Sequence, residues 1–213
     1  MMSKRYIPIL ALLLSVPFWF LAALNYPGGT SWDTTTHGFS LASNYVSSLF
    51  QPLALNGMVN TARFFAFIAM LLYAAGVSVM FWVISSSYPK SAASKTVQIF
   101  GVGSMVYTFI AVTTPMHNLL VVIAAIFLAV ACAGMLVLLH QDSKHKLLLF
   151  GIFNLLLLAV LSATTKGNLL VGIGPACEWI LFLCGALWVM LVYFGATAPH
   201  ASARRTRENP RAT

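Results

Sequence analysis

The stretch 118-NLLVVIAAIFLAVACAGMLVLL-139 carries no lysine, arginine, aspartate or glutamate. As a helix rising 1.5 Å per residue it would run about 33 Å, close to the ~30 Å hydrocarbon core of a bilayer. Five further segments read the same way: 6–24, 64–84, 97–114, 147–164 and 176–196. Their one ionisable acid or base is Glu178. The whole chain agrees, being 60% hydrophobic and only 8% charged, against about 25% charged in a typical soluble domain. Most side chains must face lipid or another helix. No polar linker divides the apolar blocks, so the expected fold is all-α: one polytopic transmembrane six-helix bundle over 1–200, with a polar, basic and disordered tail over 201–213.

Orientation follows from the bases. Of the twelve lysines and arginines, only Arg63 and Lys166 lie on one side. Lys4, Arg5, Lys90, Lys95, Lys144, Lys146, Arg204, Arg205, Arg207 and Arg211 lie on the other. The positive-inside rule places the larger group in the cytoplasm, and six spans return the C-terminus to that side. The net charge of +8 is thus a topology signal. A nucleic-acid partner is not expected, because such proteins gather their bases on one soluble face. The first span has the basic start and small-residue end of a signal peptide, but its apolar run exceeds the usual 7–15 residues of a signal core, so it reads as a true span.

Secondary features refine this picture. Trp82, Tyr88 and Trp179 fall at span ends, where aromatic anchors sit at the membrane interface. Ala125, Ala129 and Ala133 recur every fourth residue, a stripe that admits a close neighbouring helix. Three cysteines give no disulfide framework; Cys132 and Cys184 lie at different depths inside apolar runs, and Cys177 stands alone near the outer surface. The one long loop, 25–63, is outside. It opens with the turn Tyr26-Pro27-Gly28-Gly29. Phe39, Ala42, Val46, Leu49, Phe50 and Leu53 then recur with helical period among Ser40, Ser43, Asn44, Ser47 and Ser48. That predicts an amphipathic helix over 39–53, lying at the outer interface or over the bundle.

Chemistry-bearing groups gather on the outer face: Asp33, His37, Asn44, Arg63, His117, Asn118, Lys166, Asn168 and Glu178. Glu178 is the most informative. A carboxylate just inside a span must find a partner or take up a proton, and ionisable groups in spans are functional candidates. The blander account is a carboxylate at a helix N-terminus, favoured by the dipole and paired to Arg63 or Lys166. His117, after Thr113-Thr114-Pro115, is a metal ligand, an acid/base group or an interfacial hydrogen-bonder. Asp33 and His37 stand four apart, on one face if helical, although Thr34-Thr35-Thr36 is a poor helix former. Asp33, His37, His117 and Glu178 supply donor types for a zinc-like site, but no HExxH-type spacing accompanies them, so no cofactor is expected. Walker A, GxSxG and CxxC motifs are absent.

Four landmarks then fall in order. They are Tyr26-Pro27-Gly28 with His37-Gly38-Phe39-Ser40; Asn44-Tyr45-Val46-Ser47-Ser48-Leu49-Phe50, with Asn56 and Phe64 leading into span two; Thr114-Pro115-Met116-His117; and Gly174-Pro175-Ala176-Cys177-Glu178, with Trp188 beyond. This pattern resembles the bacterial and archaeal membrane family called domain of unknown function 998, over roughly 6–196. The resemblance implies six spans and a bacterial inner-membrane location, and it singles out Ser47, His117 and Glu178. It implies no settled activity. Two departures stand out: the family's acid in the outer segment is Ser48 here, and the arginine after its late glutamate is Trp179 here.

Three functional classes compete. A non-enzymatic membrane protein would bind lipid or a small amphiphile in an outward-facing polar pocket (binding residues His37, Asn44, Ser47, Arg63, His117 and Glu178) or support a membrane complex. A lipid-directed hydrolase or transferase would use His117 as base or metal ligand, with Glu178 or Asp33 as its partner. A transporter is disfavoured by the lack of an inverted repeat and of a charge at mid-bilayer. Low charge and the hydroxyl-rich loop place the binding class first.

Overall fold

The computed structural model describes residues 4–166 and 171–197. Six long helices run through it: α1 (Ile7–Leu24), α2 (Arg63–Ser86), α3 (Ala92–Thr113), α4 (His117–Gln141), α5 (His145–Lys166) and α6 (Gly174–Thr197). All six are long and apolar enough to cross a membrane. Among the described residues the only β pairing is two isolated bridges, Gly28–His37 and Leu53–Val59. The described residues therefore form an all-helical frame whose six long helices fit a multi-pass membrane protein.

One helix, α3, outruns its apolar core through a polar cap. At α3 the Ser94 N–H donates to Ser91 Oγ at 3.1 Å, and the Ser91 N–H donates to Ser94 Oγ at 2.9 Å. This reciprocal cap starts the helix five residues before the apolar run at Val97. The tight turn between α4 and α5 uses Ser143 at φ 54°, and Lys144 pairs with Asp142 across it at 3.6 Å.

Helix α2 packs on α1, α3 and α6, and α4 and α5 complete the bundle. The core holds Phe81, Met80, Met135, Trp188 and Tyr193, each at most 2% exposed. Buried large side chains contribute roughly 1.5–3 kcal/mol each when the reference is water. In lipid the gain comes from shape-matched contact instead. Trp188 shows how tight that contact is: its indole N–H donates to the Leu147 carbonyl at 2.7 Å, and its ring lies over Gly151 of α5. At the other margin of α6, the Arg5 guanidinium donates to the Phe194 carbonyl at 3.4 Å, while the Tyr193 hydroxyl donates to the Arg5 carbonyl at 2.8 Å. Arg5 thus ties the chain start to the last turns of α6, where the helix dipole favours a cation.

Several sequence expectations change. The segment 39–53 is not an amphipathic α-helix: only Val46–Phe50 is helical, as a 3-10 turn, and a turn at 41–43 precedes it. Tyr88 is buried at 7% exposure rather than anchored at an interface, while Trp82 is 56% exposed as an anchor requires. The buried small residues of α4 are Ala124, Ala131 and Gly134, not the stripe Ala125, Ala129 and Ala133. The predicted tail and Asn168 lie outside the described residues, as does the Lys166 side chain.

A methyl group at Gly151 would collide with the Trp188 ring and stand 2.6 Å from Leu136 Cδ2. Gly151→Ala is expected to destabilise the bundle by about 1–3 kcal/mol through overpacking, read as earlier thermal unfolding in detergent. Unchanged unfolding would mean that α5 and α6 do not meet there.

Candidate functional site

The loop 25–62 closes one end of the bundle, and its own polar groups hold it there. The Gly29 N–H donates to the Thr36 carbonyl at 2.9 Å, and the Asn56 N–H donates to the Gly28 carbonyl at 3.2 Å. Gly28 and Gly29 have φ 138° and 85°, and a Cβ on either would run into neighbouring backbone; a side chain is excluded there on both counts. Asn44 is fully buried. Its Nδ2 donates to the Gly29 carbonyl at 2.8 Å, and its Oδ1 accepts from the Ser40 N–H at 2.9 Å. Asn60 repeats the device, donating to the Gln51 carbonyl at 2.9 Å and accepting from the Ala62 N–H at 3.2 Å. The Tyr26 hydroxyl accepts from the Leu55 N–H at 3.2 Å. Burial pushes this phenol above its ordinary value, and that bond partly offsets the push.

Helix α6 clasps this loop through adjacent residues. The Val46 N–H donates to Glu178 Oε2 at 2.6 Å, and the Trp179 indole N–H donates to the Asn44 carbonyl at 3.1 Å. Between those two contacts Tyr45 lays its hydroxyl on Gly174. Burial, and then the nearby Glu178 carboxylate, raise the Tyr45 phenol above its ordinary range. Aromatic rings extend the clasp: Tyr26–Phe39, Phe39–Trp179, Trp179–Trp19, Trp19–Phe50 and Phe50–Phe67 have centroids 5.4, 5.7, 5.8, 6.0 and 5.4 Å apart. Arg63 ends the chain, its guanidinium 5.1 Å from the Phe67 centroid. Such ring pairs add about 0.5–1.5 kcal/mol each beyond area burial.

Glu178 accepts from a backbone N–H of the loop, and the Lys166 side chain, one of the two expected cations, lies outside the described residues. No ion pair joins it to Arg63, which rests on Phe67 instead. Helix α6 also begins at Gly174, so Glu178 is its fifth residue and lies past the first turn, where the dipole acts most strongly. Trp179 supplies the donor to the Asn44 carbonyl.

The predicted site residues do not assemble into one hydrogen-bonded unit. Asp33 is exposed and accepts from the Thr35 hydroxyl and N–H at 2.6 and 2.8 Å, which together hold its carboxyl below the usual range. His37 is exposed on the bridge to Gly28; the two are joined by a turn, not a helical face. Ser47 is half-buried in the 3-10 turn. His117 Nδ1 lies 3.0 Å from the Ala111 carbonyl. Among the described residues, no three His, Cys, Asp or Glu come together to hold a metal ion, so Asp33, His37, His117 and Glu178 form no zinc-like cluster.

His117 does line a cavity. It has a volume of about 350 Å³ and lies between Gln51 and the α3–α4 turn, with Thr114, Met116, Asn118 and Leu119 in its wall. A carbonyl only accepts, so the ring nitrogen facing Ala111 carries the proton. Nε2 is then the acceptor of the neutral ring. Thr114 Oγ1 is buried with no partner among the described residues. Gln51 was not foreseen here; it sits just past the 3-10 turn, and the loop's fold alone brings it to the α3–α4 turn.

Glu178→Leu is expected to leave the Val46 N–H unpaired, costing about 1–3 kcal/mol. Glu178→Gln keeps an amide oxygen in place and should cost less. Hydrogen exchange at the Val46 amide reads the difference: equal protection in both variants would rule out the carboxylate as its acceptor.

Comparison with family models gives no match, and comparisons with curated proteins and with solved structures give none either.

Proposed function

We propose that this chain is a non-enzymatic, multi-pass protein of the cytoplasmic membrane that binds an amphiphile at its outer rim. The head of the amphiphile would occupy the cavity at Gln51, Thr114 and His117. The supporting observation is the combination, in that cavity of about 350 Å³, of an oriented imidazole with the Gln51 and Asn118 side chains in its wall. Ligand sites commonly measure ~300–1,000 Å³ and join apolar walls to a few placed polar groups. The exposed Met116 and Leu119, 59% and 52% open, flank the polar groups and offer surface to a hydrocarbon chain.

The lining also narrows the head group. Among the described residues no lysine, arginine, aspartate or glutamate borders the cavity, so an anionic phosphate meets no fixed cation from them. His117 Nε2 accepts, and the Gln51 and Asn118 amides both donate and accept. A neutral or zwitterionic head rich in hydroxyl or amino groups matches that set. The catalytic alternative lacks comparable support, because His117 and Glu178 are each engaged by backbone and Asp33 by Thr35, and none of the three bonds another. Membership in the domain of unknown function 998 family remains part of this proposal and rests on the four short landmarks.

Two measurements bear on this reading. Native mass spectrometry of protein from phosphatidylethanolamine/phosphatidylglycerol nanodiscs should detect a bound lipid or lysolipid that survives delipidation. His117→Leu with Asn118→Leu should lower its occupancy about tenfold, the expected loss of two hydrogen bonds. Equal retention would sink the site. For topology, single cysteines at Gln51 or Asn118 should react with a membrane-impermeant maleimide in intact cells, and one at Ser143 should not. The reverse labelling would place the cavity on the cytoplasmic side.

A further inference from the structure

A second cavity, of about 80 Å³, lies inside the bundle where α2, α3, α4, α5 and α6 converge. Tyr73, Met105, Thr108, Cys132, Asn154 and Trp188 are among its walls. Asn154 is the tenth residue of α5, about 14 Å from the helix start at 1.5 Å per residue, which is mid-bilayer depth in a ~30 Å core. It is only 3% exposed. Its Nδ2 donates to the Phe150 carbonyl at 2.8 Å, but its Oδ1 has no partner among the described residues. A buried acceptor left bare at such depth is unfavourable.

The other polar groups in the wall share one property. The Tyr73 hydroxyl spends its proton on the Phe182 carbonyl at 3.0 Å, and the Thr108 hydroxyl spends its own on the Ser104 carbonyl at 2.8 Å. Both oxygens can now only accept. The Cys132 thiol is a weak donor at best. Apart from the second hydrogen of Asn154 Nδ2, the polar groups of the wall are therefore acceptors. A cation would meet no counter-charge and would lose its hydration. Water could donate to these acceptors and accept from the second Asn154 Nδ2 hydrogen, but most of the wall is apolar carbon that it would leave unfilled. The volume equals that of roughly two or three waters, too little for a lipid head.

We propose that this cavity is an intramembrane binding site for a small, uncharged hydrocarbon molecule carrying one hydroxyl, which donates to Asn154 Oδ1. The ligand enters from the lipid phase and fills the remaining space with its hydrocarbon part against Met105 and Trp188. This site is separate from the rim cavity and does not depend on what binds there.

The test uses two isomers of the same size, 1-propanol with a donor and methyl ethyl ether without one. The full chain, labelled with ¹³C-methyl methionine in nanodiscs, is titrated with each. Met105 should shift saturably with 1-propanol, about fivefold more tightly than with the ether, as one hydrogen bond predicts. Methionines away from the cavity, such as Met116, should drift linearly as solute partitions into lipid. Asn154→Leu should abolish the preference for the alcohol, and Leu181→Phe, which fills the cavity, should abolish saturation. The wild-type comparison decides the matter even if a variant fails to fold. Linear drift at Met105, or equal affinity for the two isomers, overturns the proposal.

Discussion

The bond from the Val46 N–H to the Glu178 carboxylate, 2.6 Å long, is the constraint on which the loop end depends. A bundle of six apolar helices solves its own backbone problem, because each helix satisfies its amides internally. A long irregular connection laid over those helices does not. It must satisfy each dehydrated N–H and C=O by other means, or leave a cost of about 1–3 kcal/mol per group. Here the answers come from a few side chains. Glu178 and Trp179 take one N–H and one carbonyl of residues 44–46, and Asn44 and Asn60 close the loop on itself.

That economy shapes where function can reside. A chain with 8% charged residues has few ionisable side chains, and the clasp engages the most prominent acid among them. Glu178 attracts attention as an acid inside a span, yet its carboxylate serves as an acceptor for a backbone amide. Asn44 sits in a motif-like segment, yet both ends of its amide are engaged by the loop. The aromatic series from Tyr26 to Phe67 then fixes α1, α2 and α6 against the loop, making a packed cap rather than a hinged lid. Polar groups free to meet a ligand are left at the α3–α4 turn, which the clasp does not reach.

The six spans were legible because hydropathy accumulates along a segment and needs no partner to be read. Their ends were less so: Ser91 and Ser94 extend α3 through polar residues that no apolar window includes. The loop was misread for a physical reason. Phe39, Val46, Leu49 and Phe50 recur at helical spacing, but Phe39 turns toward Tyr26 and Trp179, and Phe50 toward Trp19 and Phe67. Burial from several directions imitates a single apolar stripe. The partner of Glu178 was illegible in principle, since a backbone N–H exists at every residue but proline and leaves no mark in composition. His117 was legible as a candidate, because a lone imidazole at a span end is conspicuous. Its companion Gln51 was not, being remote in sequence and placed only by the folded loop.

Exceptions to the economy are the most informative positions left. Where nearly every buried polar atom is matched, an unmatched one marks either strain or a partner from outside. The two such atoms that border cavities differ in kind. Thr114 Oγ1 keeps its proton uncommitted beside the rim cavity, whose Gln51 and Asn118 amides can give as well as receive hydrogen bonds. Asn154 Oδ1 lies among hydroxyls that have already donated. A polar head needs both capabilities at once, whereas a single hydroxyl on a hydrocarbon needs only an acceptor. The same few residue types thus produce two sites of opposite demand, and what separates them is how many protons the surrounding backbone has already claimed.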